Sequence, residues 1–124
     1  MKLKNIIFLG NQPQNKLNEL YNIADCSCVP SRREPFGLVA AEALICGTPV
    51  IASNEGGLPD FVTEDVGVLV EPENPTALAE AVQNIINKNF VFDSNHIAKK
   101  MQENYSQDVL IDRFIETYVS PVLK

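Results

Sequence analysis

Residues 30–60 read PSRREPFGLVAAEALICGTPVIASNEGGLPD, and this stretch, Pro30 to Asp60, decides the fold. Pro30 closes a short apolar run that begins at Cys26. Pro35, Phe36 and Gly37 then open an alanine-rich segment, Leu38 to Cys46, whose composition predicts a helix with Gly47 as its stop signal. Pro49 to Ser53 follows as a second apolar run, and behind Gly56 and Gly57 a short helix is expected over Leu58 to Thr63. Neither strand alternates polar with apolar residues. Strands apolar on both faces and joined through helices belong in a parallel sheet covered by helices.

The same pattern extends outward in both directions. Downstream, Gly67 to Val70 reads as a further strand. Upstream, Asn5 to Leu9 (NIIFL) is a compact apolar run stopped by Gly10 and Pro13, and Lys16 to Ala24 places Leu17, Leu20, Tyr21 and Ala24 at helical spacing. The expected class is therefore α/β, a parallel sheet of about four strands flanked by helices. From Pro75 onward the pattern is helical. Pro75, Leu78, Ala79, Val82, Ile85 and Ile86 form one apolar face, and helices are expected over His96 to Tyr105 and Val109 to Val119, the last with Leu110, Phe114, Ile115 and Tyr118 at core spacing. Residues 1–124 read as a single domain with its core in 5–88 and C-terminal helices in 95–119.

Composition narrows the function classes. The chain has 124 residues, 45% of them hydrophobic, and a formal net charge of −6. That charge disfavours nucleic acid and anionic membrane as partners. No apolar run approaches the ~20 residues of a membrane span, and Met1 to Asn5 leads into the first run without a cleavage-site pattern, so a cytoplasmic protein is expected. Cys26, Cys28 and Cys46, with His96 as the only histidine, lack metal-ligand spacing, and no metal is expected. Cys26 and Cys28 lie two apart in a strand, so both are expected to pack on one face as small hydrophobes in a reducing compartment.

Chemistry concentrates where the strand ending at Pro30 gives way to the helix. Ser31 to Gly37 lie in the crevice outside the carboxyl end of a parallel strand, where open α/β sheets bind ligands. The first backbone N–H groups of the helix behind Phe36 and Gly37 have no intrahelical partner and welcome an anion. Glu34 stands at this mouth. Glu42 lies about one turn into the helix, leaning back toward its N-terminus, so its carboxylate is expected to reach the same pocket. Carboxylates accept the paired hydroxyls of a sugar or ribose through charge-assisted bonds. A helix end flanked by two such acceptors suits a nucleotide diphosphate sugar. Arg32 and Arg33 read as a solvated pair.

Glu34 and Glu42, seven residues between them, together with Pro-Ser, Pro-Phe-Gly, Gly-Thr-Pro-Val and Gly56-Gly57, resemble the donor-site signature of the retaining glycosyltransferases of GT-B fold, group 1 type. The resemblance continues through GVLVEPENPTALAEAV (residues 67–82) to the last helix. It implies a partial Rossmann-like C-terminal domain that binds a nucleotide diphosphate sugar as substrate, with no cofactor and no metal. Glu34 would hold hydroxyls of the donor sugar, Glu42 the nucleotide ribose, and backbone N–H groups of Phe36, Gly37 and Leu38 would face the sugar and diphosphate. Gly56 and Gly57 would shape the next loop, while Asp60 stands where many relatives have glutamate. No catalytic residue is assigned.

The family's domain also carries two earlier strands, with an arginine and a lysine that grip the diphosphate, and an N-terminal acceptor domain; these 124 residues contain none of them. The resemblance therefore implies part of an enzyme transferring sugar with retention, inactive in isolation and completed by an N-terminal domain or chain. The alternative is a non-catalytic module that binds a nucleotide sugar or a partner protein. The expected strands match the family's third to sixth, so four strands in sequential order are predicted, with the connecting helices on one face. The incompletely covered second face predicts a homo-oligomer.

Overall fold

The computed structural model describes residues 5–105, 108, 111, 112 and 115–122. Helix α1 (Gln14–Ile23) precedes strand β1 (Ser27–Val29), followed by α2 (Leu38–Ile45), β2 (Val50–Ser53), α3 (Leu58–Phe61), β3 (Gly67–Val70), α4 (Pro75–Ile86) and α5 (Ser94–Asn104). The strands form one parallel sheet in the order β1-β2-β3. The α/β class with a helix-flanked parallel sheet is thus as expected, with three strands among the described residues rather than about four. Residues 5–9 join no strand among the described residues: Ile7 is 80% exposed and Phe8 95%. An apolar run becomes a strand only where a pleated, half-buried surface receives it, and none is formed beside residues 5–9.

The register explains how the sheet is covered. Val29 lies beside Ala52, and Ala52 beside Leu69, so these side chains share a face. That face packs on α2, α3 and α5 through Ala40, Leu44, Phe61, Ile97 and Met101. Ile51 and Val68 lie on the opposite face, where α4 packs against β2 and β3. All four residues of β2 are consequently buried. Cys28, beside Ile51 on β1, is exposed. It does not pack as the sequence predicts, because α4 lies over β2 and β3 and leaves the flank of β1 uncovered.

Local signals set the helix starts. Asn74 accepts the Ala77 amide at 3.0 Å through Oδ1, with Pro75 in the first turn of α4. Asp93 Oδ1 accepts from Asn95 and His96 at 3.0 and 3.2 Å, starting α5. Helix α5 is part of the core, since Ile97 and Met101 are fully buried; each such side chain contributes roughly 1.5–3 kcal/mol of burial. A cross-brace fastens it to the turn before β3. Lys100 Nζ reaches both Asp65 carboxylate oxygens at 2.8 and 2.9 Å, and His96 Nε2 lies 2.7 Å from Oδ2.

The helix expected over Val109 to Val119 falls partly outside the described residues, as do Leu110 and Phe114. Residues 108, 111 and 112 are helical, and Ile115–Val119 form one π-helical turn. Ile115 is 41% exposed and so does not take the core position its spacing suggests.

Candidate functional site

The carboxyl end of β1 leads into a loop whose two glutamates take separate places. Glu34 turns back on its own loop: its Oε1 accepts the Gly37 amide at 2.9 Å. The first donor at the mouth of α2 is therefore met by a carboxylate of the chain itself, with the charge preference expected at a helix N-terminus. The N–H of Leu38, next in line, has no hydrogen-bond partner among the described residues. Phe36 beneath it is 1% exposed and anchors the loop in the core.

Gly37 adopts φ +83°, a left-handed conformation, which glycine takes without steric cost. A Cβ there would also lie 3.0 Å from the Phe61 ring. The loop is seated against Gly56 and Gly57. Gly57 donates its amide to the Glu34 carbonyl at 2.8 Å, and a Cβ on Gly57 would meet the carbonyl oxygens of Phe36 and Pro35 at 2.7 and 2.8 Å. A Cβ on Gly56 would overlap the Glu34 carbonyl. The glycine pair holds the position of Glu34 by having no side chains.

Glu42 faces the groove between α1 and α5. It shares a cleft of about 530 Å³ with Gln14, Asn18 and Asn22 of α1 and with Cys46, Ala98 and Gln102. Glu34 is not among the residues that line this cleft, whereas the helical geometry alone suggests one pocket for both carboxylates. The Tyr21 hydroxyl donates to Glu42 Oε2 at 3.3 Å. Burial, then the charge of Glu42, push the Tyr21 phenol above its ordinary value, so near neutral pH it is a protonated donor. Sequence reasoning missed Tyr21, whose helical spacing marked it only as an apolar-face residue.

Arg32, 81% exposed at its side chain, pairs with Glu73 at 3.2 Å across the ends of β1 and β3. Asp60 lies in the first turn of the short helix α3, and its carbonyl accepts the Tyr105 hydroxyl at 3.0 Å. Among the described residues no group of three or more His, Cys, Asp or Glu is arranged to hold a metal ion. No described helix is long and apolar enough to cross a membrane.

A helix-flanked parallel sheet with the Glu34 loop at the carboxyl end of β1 defines an α/β fold, and comparison with known proteins names its family. The family described as Glycosyl transferases group 1 matches residues 1–108, and the chain belongs to it. An uncharacterised glycosyltransferase of Methanocaldococcus jannaschii is 35% identical over 118 residues, covering 91% of this chain and 30% of that protein. The D-inositol 3-phosphate glycosyltransferase of Corynebacterium glutamicum is 46% identical over 84 residues, 67% of this chain and 20% of the relative. The chain thus spans under a third of these relatives.

Solved structures agree. Sucrose-phosphate synthase from Thermosynechococcus elongatus superposes with a TM-score of 0.74 at 34% identity, over 94% of this chain and 30% of that one. Anabaena HepE, solved in complex with UDP, superposes with a TM-score of 0.67 at 25% identity, over 80% and 28% of the two chains.

Proposed function

We propose that these residues form the nucleotide-sugar donor site of a retaining glycosyltransferase. The carrying observation is the Glu34 to Gly37 turn, in which one carboxylate oxygen is fixed by the Gly37 amide at the carboxyl edge of β1. The other oxygen is then oriented to accept hydroxyls of the donor sugar, while the Leu38 amide offers a donor beside it. Glu42, lining its own carboxamide-rich cleft, accepts the ribose hydroxyls. The donor in this reading stretches from one carboxylate to the other.

Charge limits what the site does alone. Glu34 already meets the mouth of α2, so a diphosphate laid there needs cations to offset the like charge. Arg32 is held by Glu73 and must leave it to serve. In this reading the diphosphate is gripped by the arginine and lysine of the domain's two earlier strands and the acceptor is presented by an N-terminal domain, none of which these residues include. Departure of the diphosphate is then stabilised electrostatically by positioned cations and amides.

A calorimetric screen of nucleotide diphosphate sugars tests the reading, with UDP and Glu42→Ala as controls. Saturable binding lost in the variant supports it. A screen in which no nucleotide or sugar nucleotide binds leaves instead the second reading, a module derived from such an enzyme that contacts a partner protein.

A further inference from the structure

We propose that Tyr21 is a positioning residue for Glu42, its hydroxyl holding the carboxylate in the orientation that receives a ligand's hydroxyls; this rests on the donor-site reading above. The two residues lie 21 positions apart, on α1 and α2. The Tyr21 ring is partly buried against the core, and the Tyr21 carbonyl accepts the Thr48 hydroxyl at the end of α2. Ring and backbone are therefore held by contacts that do not involve Glu42. The hydroxyl alone reaches the carboxylate.

Among the described residues Tyr21 is the one hydrogen-bond partner of the Glu42 side chain. Without it, a glutamate on a helix surface loses rotamer freedom when a ligand arrives, which weakens binding. With it, Oε2 is pinned and the other oxygen is left for the cleft. The neighbouring thiol of Cys46, one turn along α2, is pushed up by burial and by the charge of Glu42. Both titratable neighbours of Glu42 are thus held toward their neutral forms.

Tyr21→Phe removes the hydroxyl and keeps the ring, so the thermal midpoint should move little. The probe is UDP, measured by calorimetry against the parent chain, Tyr21→Phe, Glu42→Gln and the double variant. Tyr21→Phe is expected to weaken UDP binding about three- to tenfold and to add nothing in the Glu42→Gln background. A second readout needs no ligand: in protein labelled at the tyrosine ring carbon bearing oxygen, the Tyr21 ionisation midpoint should fall in Glu42→Gln. Unchanged affinity in Tyr21→Phe, additive losses in the double variant, or an unmoved Tyr21 midpoint each overturn the positioning role while the donor site stands. Failure of UDP to bind the parent chain, or equal affinity in Glu42→Gln, overturns the donor-site reading and this inference with it.

Discussion

Gly57 donates its amide to the carbonyl oxygen of Glu34 at 2.8 Å, fastening the loop after β2 to the loop after β1. The approach is too close for any Cβ, with the Phe36 carbonyl oxygen 2.7 Å from where one would sit. Gly57→Ala must displace backbone, and Gly56→Ala adds a left-handed φ of +53° to its own overlap. Each should destabilise by about 1–3 kcal/mol, read from the denaturant midpoint. Gly37's amide resonance should shift in both variants as its bond to Glu34 is disturbed; an unchanged resonance would show that the glycine pair does not seat Glu34.

The separation of Glu34 from the Glu42 cleft predicts that the two glutamates act on different parts of a donor. Glu34→Ala should weaken a sugar nucleotide by ~1.5–3 kcal/mol and leave UDP unaffected. Glu42→Ala should weaken both to a similar extent. Equal effects of Glu34→Ala on UDP and on the sugar nucleotide, measured side by side by calorimetry, would contradict the assignment of Glu34 to the sugar.

Asp65 is the hub of the brace that ties α5 to the turn before β3. Its bond to Lys100, followed by those to Thr63 and His96, holds its carboxyl well below the usual carboxylate range. A depressed folded-state value stabilises the fold above the unfolded value near ~3.9, and that stabilisation disappears as pH falls below it. The side chains are partly exposed, so screening keeps the contribution modest. Asp65→Asn should lower the thermal midpoint at neutral pH and flatten its decline below about pH 4. Parallel acid limbs in the two proteins would remove Asp65 as the source.

Cys28 is exposed on the uncovered flank of β1, and a hydrogen bond from Cys26 lowers its thiol to about 7, against the opposing effect of burial. Thiolate is the reactive form. Near neutral pH, iodoacetamide should therefore alkylate Cys28 ahead of Cys46, whose thiol burial pushes up. Cys26→Ala, which removes the donor, should slow the Cys28 reaction, as peptide mass mapping over time can show. Faster labelling of Cys46 would reverse the argument.

Elements bounded by local signals were legible in the sequence. The helix from Leu38 opens after Gly37 and stops before Gly47, β2 follows Pro49, and α4 begins at Pro75. Each boundary is set by residues within one turn of it. Features that depend on distant chain were not legible. The apolar run at residues 5–9 needs a neighbouring strand to become one, and composition cannot supply it. Cys28 has the periodicity of a covered residue, but its cover depends on how far α4 extends across the sheet. Within the site, the Gly37 turn and the glycine pair were readable as a motif. The reach of Glu42 was not, because Tyr21 on another helix decides which way its carboxylate points.

Glu34 is held at both ends by residues of one continuous stretch, its carboxylate by Gly37 and its carbonyl by Gly57. The fixtures that orient it therefore travel together within Pro30 to Asp60. Glu42 travels in the same stretch, but its partner Tyr21 lies outside. A graft of this segment between family members would carry the Glu34 turn intact and leave Glu42 to whatever side chain the recipient's helix presents. Recombination can thus keep one half of the site constant while retuning the other.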